Sequence, residues 1–156
     1  MAVTPSSEVP FHEDDLSPAI DAVTAIERAG SGWVNLVPEV AEGEEPPPRS
    51  LLAWFFSNRG DAVPMITWSP ASRPGGRATV GLAHGSGPRG LVRLSEEGLE
   101  RPDGWFKVTD HARRGIVLTV PAASDRADAV HWLLTAAHVL CSVPLTGHWL
   151  ARSYVG

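Results

Sequence analysis

The chain of 156 residues is 43% hydrophobic and 20% charged, with a formal net charge of −5. This length supplies one hydrophobic core of ordinary size, and this composition excludes a wholly disordered chain. The lone cysteine, Cys141, excludes an intrachain disulfide, and the polar, acidic start of the sequence lacks the pattern of a secretion signal, so we expect a soluble cytoplasmic protein.

The charge is unevenly distributed along the chain. Residues 1–48 contain ten carboxylates and one arginine, whereas the remainder contains eight carboxylates and twelve cationic side chains. Because residues 1–16 lack apolar periodicity, we expect a disordered acidic arm there and one domain over residues 17–156. Arginine outnumbers lysine twelve to one, which is typical of a bacterial genome rich in G and C.

One helix and a series of short strands are predicted after the arm. Ser17-Pro18 is a typical helix start and Gly30 a typical helix end, so we expect a helix over residues 18–29. Turn residues bound a series of extended segments at residues 33–37, 51–57, 63–69, 78–83, 91–94, 105–109 and 116–120. The Asn58-Arg59-Gly60-Asp61 turn predicts a hairpin between the second and third of these segments. Turns this closely spaced favour a mainly antiparallel meander of five to seven strands.

The longest helical pattern covers residues 125–142, near the end of the chain. Its apolar side chains recur at helical spacing and predict a face packed on the sheet, which makes the fold class α+β. Trp132 and Val139 project from the opposite side and need a cover. We expect the segment from Pro144 to Gly156 to supply this cover, with a homodimer as the alternative.

A polar stripe on this helix is the first candidate binding surface. Its members are Asp128, His131, Thr135, His138 and Ser142. A sheet covered by a long helix can leave a cavity between the two layers. We expect such a cavity to have the stripe at its rim and to be lined by Trp54, Trp68 or Trp105.

The same helix offers two weaker catalytic hypotheses. His138 and Cys141, with His148, have a spacing that zinc permits, but a structural zinc site needs four ligands. Ser142 and His138 have the spacing of a nucleophile and its base, yet a helical serine commonly bonds to its own backbone, and no oxyanion donor is evident. We therefore predict no bound metal, no cofactor and no catalytic residue.

A glycine-rich loop is the second candidate binding surface. Residues 85–90 match the G-x-G-x-x-G pattern of dinucleotide-binding loops, but Pro88 interrupts the helix that this fingerprint requires. The backbone N–H groups of the loop, with His84 and Arg89 at its edges, suit a carboxylate or phosphate. Asp110 follows the last glycine by twenty residues, where the fingerprint expects an acidic residue.

A polar turn after Asp110 adds more cationic groups to this surface. His111, Arg113 and Arg114 lie within four positions between two predicted strands. Paired arginines suit planar anions, although such turns are more often simply solvated. The body of the chain is too weakly basic to favour nucleic acid as a partner.

Taken together, these features favour a non-catalytic binding or adaptor domain that recognises an anionic small ligand or a protein partner. The rival hypothesis is a small hydrolase or metal-dependent enzyme built on the histidines of the C-terminal helix. No membrane partner is expected, and both a monomer and a homodimer remain open. The residues predicted to bind the ligand are His84, Arg89, His111, Arg113, Arg114, His131, Thr135 and His138.

Overall fold

A computed structural model describes residues 3–45 and 60–156, which form seven strands and three helices. In chain order these elements are β1 (Ser7–His12), α1 (Ser17–Ala29), β2 (Trp33–Val40), β3 (Met65–Ser69), β4 (Ala78–Ala83), α2 (Gly90–Glu96), β5 (Phe106–His111), β6 (Gly115–Val120), α3 (Arg126–Val139) and β7 (Leu145–Tyr154). The predicted α+β class and the predicted antiparallel sheet are confirmed. The predicted strand at 51–57, its hairpin turn at Asn58 and Arg59, and Trp54 lie outside the described residues.

The seven strands form one antiparallel sheet in the order β1-β7-β2-β3-β4-β6-β5. Strands β2, β3 and β4 are neighbours in chain order, and β5 and β6 form a hairpin at one edge. Because β6 lies between β4 and β5, the sheet is not the single continuous meander that was predicted. The last strand of the chain inserts between the first two. Because directly opposed residues in neighbouring strands share a face, the buried side chains of successive strands form one continuous apolar face.

The N-terminal arm was expected to be disordered, and this prediction is wrong for β1. This strand pairs along its whole length with β7, and the ring of Phe11 stacks on that of Trp149 with their centroids 6.5 Å apart. Phe11 is the only residue of β1 that is fully buried. One buried position gives no alternating pattern, and the partner strand lies at the other end of the chain, so a local pattern could not reveal the pairing.

Helices α1 and α3 pack on the apolar face and against each other. Arg126 at the start of α3 donates a hydrogen bond of 2.7 Å to the carboxylate of Glu27 on α1. Gly30 ends α1 in the left-handed conformation (φ 72°), and its N–H donates to the carbonyl of Ile26, as the sequence predicts. Helix α3 ends at Val139, three residues before the predicted end.

Two further predictions about secondary structure are wrong. Residues 91–94 were expected to be extended but belong to α2, whose first N–H groups bond to a side chain twenty residues away. The segment after Pro144 was expected to cover Trp132 but forms β7, the second strand from one edge of the sheet. No helix among the described residues has the length and apolar character needed to cross a membrane.

Candidate functional site

A groove of about 400 Å³ runs along the outer side of α3. One wall is the loop from Leu99 to Trp105, and the other is the exposed side of the first turns of the helix. The described residues that line it are Leu99, Pro102, Asp103, Trp105, Ser124, Asp125, Asp128, Ala129, His131, Trp132 and Thr135. The groove therefore lies between the helix and this loop, rather than between the helix and the sheet as predicted.

Two tryptophans form the floor of the groove. Trp105 and Trp132 are 3% and 8% exposed, and their rings meet edge to face with centroids 5.4 Å apart. The indole N–H of Trp132 donates a hydrogen bond of 2.9 Å to the carbonyl of Glu100. This bond and the ring contact attach the loop to α3, so the floor is formed by side chains that already contact each other without a ligand.

The rim of the groove carries negative charge. Asp103, Asp125 and Asp128 are exposed, and no lysine or arginine is found among the described lining residues. Asp125 also caps α3, because its carboxylate accepts the N–H of Asp128 at 2.9 Å. The other polar lining groups include His131, which is exposed, and Thr135, whose hydroxyl donates to the carbonyl of His131 at 2.8 Å.

The structure divides the predicted helix stripe between two places. His131 and Thr135 line the groove, whereas His138 turns to the N-terminal part of the chain and pairs with Glu13. The cavity predicted from the tryptophans is also divided, since Trp105 lines the groove but Trp68 is buried in the core.

The contact of His138 is a structural link between α3 and the loop after β1. The carboxylate of Glu13 accepts hydrogen bonds from the imidazole of His138 and, at 2.7 Å, from the indole N–H of Trp149. Partial burial tends to raise the pKa of Glu13, but these two hydrogen bonds and the neighbouring imidazoles outweigh it and hold this pKa below its ordinary value. By pairing with the carboxylate of Glu13, His138 helps to hold the loop after β1 against α3.

The glycine-rich loop is built around a buried histidine. His84 is fully buried, and its Nδ1 accepts the N–H of Ser86 at 3.3 Å and lies 2.8 Å from the Ser86 hydroxyl. Burial is the main cause that lowers the pKa of His84; Arg93 adds to this effect and Asp110 opposes it. A buried, neutral His84 supplies no positive charge to an anionic ligand.

Asp110 accepts hydrogen bonds from backbone N–H groups that the loop was expected to offer to a ligand. Its two carboxylate oxygens accept the N–H groups of Gly90 and Leu91 at 2.9 and 3.0 Å. A Cβ at Gly90 would lie 2.8 Å from Ile116 and 3.0 Å from the imidazole of His84, so glycine is needed for this close approach. Arg89, which precedes the helix, takes the left-handed conformation with φ 60°.

The basic turn lies at the same end of the sheet as this loop. The imidazole of His111 accepts the N–H groups of Arg113 and Arg114 at 3.1 and 3.3 Å, which shapes the turn. Arg89 and Arg114 are exposed. The fold thus gathers His84, Arg89, His111, Arg113 and Arg114 at one end of the molecule and places His131 and Thr135 elsewhere.

The zinc and serine hypotheses find no matching geometry. No group of three His, Cys, Asp or Glu residues able to hold a metal ion occurs within residues 3–45 and 60–156. The thiol of Cys141 donates to the carbonyl of Val143 at 3.2 Å. His138 is engaged with Glu13, and the described contacts do not join it to Ser142.

Two other depressions are less suited to selective binding. One of about 600 Å³, on the sheet face opposite the helices, carries the opposite charges of Glu39 and Arg152. Another of about 570 Å³, between α1 and β1, is lined mainly by small side chains, with Asp21 as the only charged group among its described residues. Of these three depressions among the described residues, only the α3 groove combines an aromatic floor with charge of one sign.

Sequence reasoning missed the far wall of the groove. Leu99, Pro102 and Asp103 come from a loop whose Pro-Asp-Gly sequence indicated only a turn. The helical pattern that begins at Asp125 gave no sign that this side chain lies on the rim of the groove. Comparisons with protein-family profiles, curated protein sequences and solved structures gave no significant match.

Proposed function

We propose that this chain is a non-catalytic binding domain that holds a segment of a partner protein in the α3 groove. The observation that carries this proposal is the floor of Trp105 and Trp132, whose rings contact each other beneath an open groove of about 400 Å³. A preformed aromatic floor binds apolar side chains at little entropic cost, because its own rings are already ordered.

The rim indicates the charge of the partner. Three aspartates and no cationic side chain among the described lining residues favour a segment that presents lysine or arginine beside an apolar residue.

An anionic partner at the basic end of the sheet is the second candidate. Arg89 and Arg114 are exposed there, and Asp110 ties the start of α2 to the end of β5. This candidate has less support, because Asp110 already bonds the N–H groups at the start of α2 and His84 is buried with a lowered pKa.

Selection of random eight-residue peptides displayed on phage separates the two candidates. The targets are the wild-type chain, a groove variant (Asp103→Lys with Asp128→Asn) and a loop variant (Arg89→Asn with Arg114→Glu). Asn is chosen at position 89 because it tolerates the left-handed conformation. Asp125 is left unchanged because it caps α3.

The groove proposal predicts enrichment of peptides with a basic residue next to an apolar one. These peptides should bind the loop variant as well as the wild type and lose binding to the groove variant. Acidic peptides that bind the groove variant but not the loop variant would establish the second candidate instead. Failure to enrich any sequence above an unrelated immobilised protein would contradict both.

A further inference from the structure

Strand β5 forms an edge of the sheet and carries unusual apolar exposure. Within the described residues it pairs with β6 alone. Phe106 and Val108 are 59% and 61% exposed, the highest values for any large apolar residue in the described strands. An unpaired edge with exposed apolar side chains is a template for another strand.

When β5 strands from two copies of the chain run antiparallel, the charges of one strand are complementary to those of the other. In an antiparallel pair of two β5 strands, with the twofold axis between Val108 and Thr109, Lys107 of each copy lies opposite Asp110 of the other. Because the pairing has twofold symmetry, the contact between Lys107 and Asp110 forms twice, once in each direction.

The two charged side chains lie on the same side of the sheet. Lys107 is opposite Leu118 and Asp110 is opposite Ile116, and both of those partners are buried on the helix-covered face. The register shift between Lys107 and Thr109 leaves Val108 as the extra residue of a bulge, which brings positions 107 and 110 onto one face. Without the bulge, residues three apart on a strand would point to opposite faces.

Both groups are available for this contact. Lys107, the only lysine of the chain, is exposed and forms no ion pair with any residue the structure describes. Asp110 uses its carboxylate to accept two backbone N–H groups, but a carboxylate offers about four lone-pair sites. A lysine and a bulge on an edge strand usually prevent it from pairing with strands of other chains. In β5 they favour one pairing register, in which the lysine lies opposite a carboxylate.

We propose that two copies of this chain associate through antiparallel pairing of their β5 strands, which joins the two sheets into one. Each copy contributes Lys107 to a salt bridge with Asp110 of the other, and the exposed Phe106 and Val108 become buried at the junction.

Zero-length carbodiimide crosslinking tests this pairing. An equal mixture of ¹⁴N-labelled and ¹⁵N-labelled full-length protein is crosslinked and digested, and linked peptides are identified by mass. We expect a Lys107–Asp110 link in which the two peptides carry different isotopes. Lys107→Arg keeps the charge and removes the reactive amine, so it should abolish the link without changing the sedimentation coefficient of the dimer.

Sedimentation of matched variants provides the second readout. We expect Val108→Asp to weaken the dimer about tenfold or more, because it buries a charge at the junction. Val9→Asp makes the same change on β1, the opposite edge, and should leave the dimer intact. A monomeric wild-type protein at 100 μM, links confined to one isotope, or a dimer sensitive to Val9→Asp but not to Val108→Asp would each overturn the proposal.

Discussion

The indole rings of Trp105 and Trp132 meet edge to face, with their planes inclined at 61° and their centroids 5.4 Å apart. This contact joins a loop that has no regular secondary structure of its own to α3, which has more buried residues than the other described helices. The loop therefore owes its position to α3, and the groove exists because the two rings hold its walls together.

Truncation of Trp132 should show how much this contact contributes. We expect Trp132→Ala to reduce the free energy of unfolding by about 3–5 kcal/mol, as for other buried aromatics. Trp132→Phe keeps an aromatic ring but loses the hydrogen bond to the Glu100 carbonyl, worth about 1 kcal/mol, so its loss should be clearly smaller. Urea denaturation measures both. Val139→Ala, at a position 38% exposed on the same helix, is the control and should change stability by less than either.

The N-terminal strand should contribute to stability, in contrast to the disordered arm expected from sequence. Phe11 is 6% exposed and stacks on Trp149. We expect Phe11→Ala to cost about 3–5 kcal/mol in the free energy of unfolding. Val9→Ala in the same strand, at a position 38% exposed, should cost much less. Equal, negligible effects of both substitutions in thermal denaturation would show that β1 is not docked in solution.

Helix α2 should depend on a side chain outside itself. The carboxylate of Asp110 accepts the first two N–H groups of the helix, which is the role of a helix cap. We expect Asp110→Ala to cost about 1–2 kcal/mol, typical of a lost cap, and Asp110→Asn to cost less because one acceptor remains. Hydrogen exchange of the α2 amides would locate the loss. Unchanged protection of these amides in Asp110→Ala would contradict the assignment.

The buried His84 should make stability depend on pH. Its folded-state pKa lies below the ordinary value of about 6.5, so the unfolded chain takes up a proton before the folded chain does. The contribution of neutral, buried His84 to the free energy of unfolding is fully present above that ordinary pKa. This contribution is lost as the pH falls from about 6.5 towards the lowered folded-state pKa. We expect the urea midpoint of the wild type to fall between pH 7.5 and pH 5.5.

A substitution that cannot titrate should remove this dependence. His84→Asn keeps an acceptor for the Ser86 N–H, so the loop retains its main contact. Its urea midpoint should change less between the two pH values than that of the wild type. His131→Asn, at an exposed position in the groove, is the control and should retain the wild-type dependence. The same pH dependence in His84→Asn and wild type would contradict a buried, neutral histidine.

The sequence predicted the elements whose signals are local. The Ser17-Pro18 start and Gly30 end bracket α1 within one residue, and the turn residues around β4 and β6 place these strands within one residue too. The errors share a physical cause. β1 pairs with a strand at the far end of the chain, and α2 is capped by Asp110, so neither element is specified by its own residues alone.

The candidate site was predicted only in part for the same reason. Helical spacing placed His131 and Thr135 on one side of α3 and indicated that Trp132 needs a cover. The loop that covers Trp132 could not be inferred, because it depends on the tertiary contact with Trp105. The spacing of His138 gave no sign of Glu13, which reaches it from the other end of the chain.

Isothermal titration of a synthetic peptide enriched on the wild-type chain tests the binding function most directly. The peptide is titrated into the wild type, the groove variant (Asp103→Lys with Asp128→Asn) and the loop variant (Arg89→Asn with Arg114→Glu). Because the proposal places a cation of the partner beside the rim carboxylates, we expect the groove variant to bind about tenfold more weakly or worse and the loop variant to match the wild type. Equal affinity for the wild type and the groove variant, or loss of binding in the loop variant alone, would contradict the assignment of the α3 groove as the binding site.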